Sequence, residues 1–182
     1  MMRFFMLWLA LIYTGNLQAK TPSNSPITIV AHLYSDYAWE AVLDTPYSAK
    51  TGLLDEPPKI LRRYFSKRLT ELFSNDRECA KRTKEICRLD FLPIWNSQDP
   101  AATDLTITPT NKPNSIRVQF INPSNRQKIE LYFILIREPL GWRVDNIISD
   151  DWDLRSILET SLNSGAIENE TKPLNPTRLL PL

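Results

Sequence analysis

Residues Lys128–Arg137 read Lys-Ile-Glu-Leu-Tyr-Phe-Ile-Leu-Ile-Arg. In an extended chain Leu131, Phe133 and Leu135 take one side, and Tyr132, Ile134 and Ile136 take the other. Branched and aromatic residues dominate and no Gly or Pro interrupts, so the stretch is a strand. Both of its faces are apolar, which predicts an interior strand with cover on both sides. Glu138-Pro139-Leu140-Gly141 is a turn, and Trp142 and Val144 begin the return strand. Ser149-Asp150-Asp151 then introduces a helix predicted over Trp152–Leu162. Asp150 or Asp151 is its expected cap, because carboxylates suit the positive end of a helix.

The segments upstream supply partner strands and cover. Leu105 and Ile107 alternate with Thr106 and Thr108 before Pro109, and Ile116, Val118 and Phe120 alternate with Arg117 and Gln119. Turns fall at Asn111–Asn114 and Asn122–Arg126. Four strands joined by short turns make an antiparallel meander. Ahead of them, Val30, Leu33, Tyr34, Tyr37, Ala38 and Ala41 form one stripe of a helix over Ile27–Leu43 entered at Ser25-Pro26. A loop with Pro46, Gly52, Pro57 and Pro58 follows, and then a second helix over Lys59–Phe73. Its basic run Arg62, Arg63, Lys67 and Arg68 reads as a solvated face. Ser74–Arg88 is too charged for core and predicts a short helix or loop. Leu89–Pro100 alternates large apolar residues with Asp, Asn and Gln, and predicts a segment wrapped over the sheet. Helices, then a meander, then a last helix define an α+β fold.

The chain has 182 residues, room for one domain of ordinary size. Met1-Met2-Arg3, the apolar run Phe4–Tyr13 and a cleavage region ending at Ala19 read as a signal peptide. The run is far short of the about 20 residues a membrane helix needs. The expected organisation is a signal peptide over 1–19, a leader over 20–26, one domain over 27–162 and an extended polar tail over 163–182. Cleavage removes one base, Arg3, and no acid. The remaining body is formally neutral and has no strong attraction to nucleic acid or to a membrane. Cys79 and Cys87 lie in the exported part. An oxidising compartment favours a disulfide between them over two buried thiols or a metal site. His32 is the single histidine, too few for a zinc site of the usual make-up.

No catalytic motif stands out. His32 and Asp36 are four residues apart on a predicted helix and read as a surface pair. Asp145, Asp150, Asp151 and Asp153 cluster at a strand–helix junction. They lack the spacing of a calcium loop and read as caps and surface. No metal or cofactor is expected.

Three stretches carry a family resemblance. They are Leu33-Tyr34-Ser35-Asp36-Tyr37; Leu89-Asp90-Phe91-Leu92-Pro93 with Gln98-Asp99; and Gly141-Trp142-Arg143-Val144-Asp145-Asn146-Ile147 with Leu154-Arg155-Ser156-Ile157-Leu158. Together they resemble the small exported bacterial proteins catalogued as domain of unknown function 3828. The resemblance covers Ile27–Leu162 and leaves out the cysteine pair and the tail. It implies an envelope location and a nuclear-transport-factor-2-like fold, a cone-shaped, strongly bent antiparallel sheet closed by helices. It transfers no activity and no catalytic residue.

Three functions follow as expectations. The first is a non-catalytic periplasmic binding module acting on a protein partner. It would be an inhibitor or immunity protein against a toxin or wall hydrolase. The second is a small-ligand-binding cone lined by Tyr34, Tyr37, Trp95, Gln98, Tyr132 and Trp142. The third is an enzyme using Asp90 or Asp99 with His32 or Tyr34.

Overall fold

The structure, a computed structural model, describes residues 25–42 and 50–160. The signal-peptide reading over 1–19, most of the leader and the tail over 163–182 lie outside the described residues. Four antiparallel strands form one sheet in the order β1 (Thr103–Pro109), β2 (Ser115–Ile121), β3 (Lys128–Glu138) and β4 (Gly141–Ile148). The turns form where short polar residues tolerate a left-handed backbone. Asn114 has φ 59° and Arg126 φ 57°. The Asn122 and Asn125 side chains accept the backbone N–H groups of Ser124 and Gln127, each at 2.9 Å. Register shifts between Thr103 and Thr106, and opposite Ile134–Leu135, mark bulges.

One face of the sheet carries the core. Ile116, Val118, Phe120, Ile129, Leu131, Phe133, Leu135, Val144 and Ile147 are all buried. Against this face pack α1 (Pro26–Tyr37), α4 (Lys67–Thr83) and α5 (Leu154–Glu159), with α2 (Trp39–Val42) and α3 (Pro58–Leu61) between the first two. The α1 stripe is the expected one: Val30, Leu33, Tyr34 and Tyr37 are buried. The helix is shorter than predicted. It ends at Tyr37 and resumes at Trp39, and Leu43 lies outside the described residues.

Cover on both sides of β3 was the expectation, and the structure corrects it. Tyr132 and Ile134 are only half-buried, and Ile136 is 38% exposed. The row is apolar, but its neighbours Arg117, Gln119 and Glu130 are polar, so partial shielding within the sheet takes the place of a second layer.

The helix predicted over Lys59–Phe73 is also corrected. It breaks at Tyr64–Ser66, where the chain runs extended beside the edge of β4. Val144 donates its N–H to Tyr64 O and accepts from Ser66 N, both at 2.8 Å. Two strong backbone bonds to an otherwise open sheet edge outweigh continued helix. Ser66, fully buried, then caps α4 by accepting Leu69 N at 3.0 Å. The basic run beside this break is largely paired: Arg62 with Glu138, Lys67 with Glu71 and Arg68 with Glu159.

α4 reaches Thr83, well past the predicted short helix or loop. Its charged end is partly interior: Cys79 is 3% and Asp76 8% exposed. Asp76 accepts Arg88 N at 2.9 Å, which satisfies the buried carboxylate. Lys84 takes a left-handed turn at φ 63°, and the Cys79–Cys87 disulfide closes it. The last helix is corrected as well. Asp153, not Asp150 or Asp151, is the cap, accepting Ser156 N at 2.9 Å. Ser149 N donates to Trp152 O and Ile148 bridges Asp153, so residues 149–152 stay a loop.

Glu138 ties the β3–β4 hairpin to the start of α4. It accepts both terminal nitrogens of Arg62, at 3.2 and 2.8 Å, and the N–H of Lys67 at 2.8 Å. The Arg62 hydrogen bonds, with help from Lys67, hold its carboxyl below the usual range. A lowered carboxylate stabilises the fold above its unfolded pKa, and that contribution is lost as pH falls through the folded value. Glu138→Gln is therefore expected to unfold at lower urea than the parent at pH 7, with the gap closing below about pH 4. Replacing both cysteines by Ala is expected to remove about 2 kcal/mol, the chain-entropy value for so short a loop, in the same denaturation assay.

Candidate functional site

The six residues expected to line one cone fall in separate places. Tyr34, Tyr37 and Trp95 belong to the core, at 2%, 5% and 4% exposure. The Tyr34 hydroxyl donates to Ile94 O at 2.5 Å. Its ring meets Trp95 edge-on at 5.0 Å and Phe133 at 5.8 Å. Burial pushes the Tyr34 hydroxyl well above its ordinary pKa. The Trp95 indole donates to Glu40 at 3.0 Å, and the other Glu40 oxygen accepts Leu53 N at 2.7 Å. Burial raises the Glu40 carboxyl despite these two bonds. These groups fasten α1, α2 and the Leu89–Pro100 segment to the sheet.

Tyr37 packs on Tyr64 at 5.9 Å, and the Tyr64 hydroxyl donates to Asp36. Burial first, then the Asp36 carboxylate, pushes Tyr64 up to about 12. Asp36 is thus engaged with Tyr64, not with His32, which is exposed on α1. Asp90 accepts the amide of exposed Gln98 at 3.3 Å, and Asp99 N donates to Ser97 Oγ at 3.1 Å. Trp142 lies under the Arg137 guanidinium, 5.7 Å from its ring centre. The Asp145–Asp153 cluster separates too. Asp145 pairs with Arg155 at 2.9 Å, Asp153 caps α5, and Asp150 and Asp151 are exposed. Among the described residues no group of three His, Cys, Asp or Glu is placed to hold a metal ion.

Tyr132 alone of the six sits on the outer face of the sheet, at a pocket of about 350 Å³. Tyr132, Ile134 and Ile148 make its apolar part, and Thr110, Lys112 and Ser115 its rim. Two of these elements are brought together by register: Tyr132 opposes Ile148 on one side and Arg117 on the other. Beside the pocket Glu130 accepts from the Tyr132 hydroxyl and from the Gln119 amide. The Tyr132 bond, then Gln119 and Arg117, hold its carboxyl below the usual range. A second depression, about 400 Å³, lies beside the disulfide, where Leu54, Leu89, Phe91 and Leu92 meet Ile86, which is 70% exposed.

Ser115 and Ile148 were not singled out from sequence. The available signal was the second apolar face of the long strand, which named Tyr132 and Ile134 without showing that they stay uncovered. No family model, curated protein or solved structure matches this chain. The family resemblance therefore rests on its residue series.

The arrangement on the outer face suits binding: an apolar centre, a polar rim and one satisfied carboxylate. Removing the hydroxyl with Tyr132→Phe is expected to raise the Glu130 pKa back toward the ordinary carboxylate value. Carbon-detected NMR titration of the Glu130 carboxyl checks this, and an unchanged midpoint would contradict the assigned hydrogen bond.

Proposed function

We propose that this chain is an exported, non-catalytic binding module that meets a protein partner on the outer face of its sheet. The role is that of an inhibitor or immunity protein against a toxin or a cell-wall hydrolase. One observation carries the reading: Tyr132, Ile134, Ile136 and Ile148 form a half-exposed apolar row, rimmed by Lys112, Arg117 and Glu130. An apolar centre inside a polar rim is the usual anatomy of a protein interface. The sequence of Met1–Ala19 supports export to the periplasm, and the disulfide suits an oxidising compartment. We also read the fold as nuclear-transport-factor-2-like. Helices on one face of a bulged four-stranded meander, followed by a short last helix, support that reading.

The test is capture from the periplasm of the native host with the full chain, parent against Ile134→Asp, read by mass spectrometry. Ile134 lies outside the buried core, so the variant should keep its circular dichroism and melting temperature. The parent is expected to retain one stoichiometric toxin or wall hydrolase, and the variant to lose about tenfold or more of it. Equal recovery by the folded variant would reject this surface.

A further inference from the structure

We infer that the outer-face pocket receives an apolar side chain flanked by a carboxylate, presented by the partner protein. This rests on the outer face being the partner surface, and it specifies the chemistry of what docks there. The pocket floor is set by Ile134, Ile148 and the Tyr132 ring. Its wall is the β1–β2 turn, which is held in place from two directions. Thr110 N donates to Ser115 O at 3.0 Å, and Lys112 N donates to Thr110 Oγ1 at 3.1 Å. A wall fixed before binding lowers the ordering cost of association.

The charge of the occupant follows from what the face leaves unmatched. Glu130, the carboxylate of this face, already has one oxygen on Tyr132 and the other on Gln119. Asp150, the second acid near Tyr132, is exposed on the loop after β4. Arg117 opposes Tyr132 across the β2–β3 ladder, and its Nε–H is buried with no acceptor. Neither Arg117 nor Lys112 takes part in an ion pair among the described residues. A buried donor without an acceptor is costly, and a carboxylate arriving beside the pocket supplies a charge-assisted one. A basic group arriving there would meet Arg117 and Lys112 and be repelled. Leu or a similar side chain fills the apolar floor, and the neighbouring Asp or Glu answers the two cations.

Two synthetic peptides test this on the full chain with labelled isoleucine methyls. One is acetyl-Gly-Asp-Leu-Asp-Gly-amide and the other is acetyl-Gly-Lys-Leu-Lys-Gly-amide. The acidic peptide is expected to shift the Ile134 and Ile148 methyl signals saturably. The basic one should bind about tenfold or more weaker, and the double variant Lys112→Gln/Arg117→Gln should erase the difference. Equal shifts from both peptides, or none from either, would overturn the inference. The two readings fail separately. If Ile134→Asp loses the captured partner while the peptides do not discriminate, the surface stands and the acidic anchor falls. If the acidic peptide saturates selectively while Ile134→Asp keeps the partner, the pocket chemistry stands and the partner surface lies elsewhere.

Discussion

The backbone pairing of Val144 with Tyr64 and Ser66 is the constraint on which the rest of the architecture depends. β4 is the last strand of the meander, and its free edge would otherwise leave N–H and C=O groups unpaired. The two bonds end one helix and start another, since Ser66 is at once the acceptor's partner and the cap of α4. They also fix where Arg62 and Lys67 stand, which lets Glu138 bind both from the hairpin. Arg143, next to Val144, reaches back to Arg62 O at 2.8 Å and reinforces the same junction.

A second set of contacts fills the inner side of the sheet. Tyr34, Trp95, Phe120 and Phe133 meet edge-to-face, and the Tyr34 hydroxyl finds a carbonyl on the segment that covers it. Polar atoms of large aromatic residues are satisfied there rather than aimed at a ligand. The exposed apolar surface lies instead on the opposite face, where the sheet has no second layer of described helices. The division between a packed face and a half-open one is what directs the functional reading to Tyr132, Ile134 and Ile148.

The disulfide has a local role of a different kind. It closes the left-handed turn after α4 and sets Arg88 against Asp76 and the carbonyl of Thr160. α4, the covering segment and the end of α5 are joined through one arginine. The charged composition of residues 74–88 gave no hint of this, because burial of Asp76 depends on a partner twelve residues away.

Local pattern by itself determined the strands, their turns and the meander. Alternation over Ile116–Phe120 and Lys128–Arg137 and Asn-rich turns act within a few residues, and short connections make neighbours pair. The stripe of α1 and the pairing of the two cysteines were legible for the same reason of short range. Three things were decided only in three dimensions. The break at Tyr64–Ser66 needed the edge of β4, because a helical stripe cannot show that a strand will compete for it. The cap of α5 moved to Asp153 because Ile148 holds the preceding loop. Lastly, the apolar residues of Tyr34, Trp95 and Tyr132 are alike in sequence, and only the side of the sheet each one reaches separates core from binding surface.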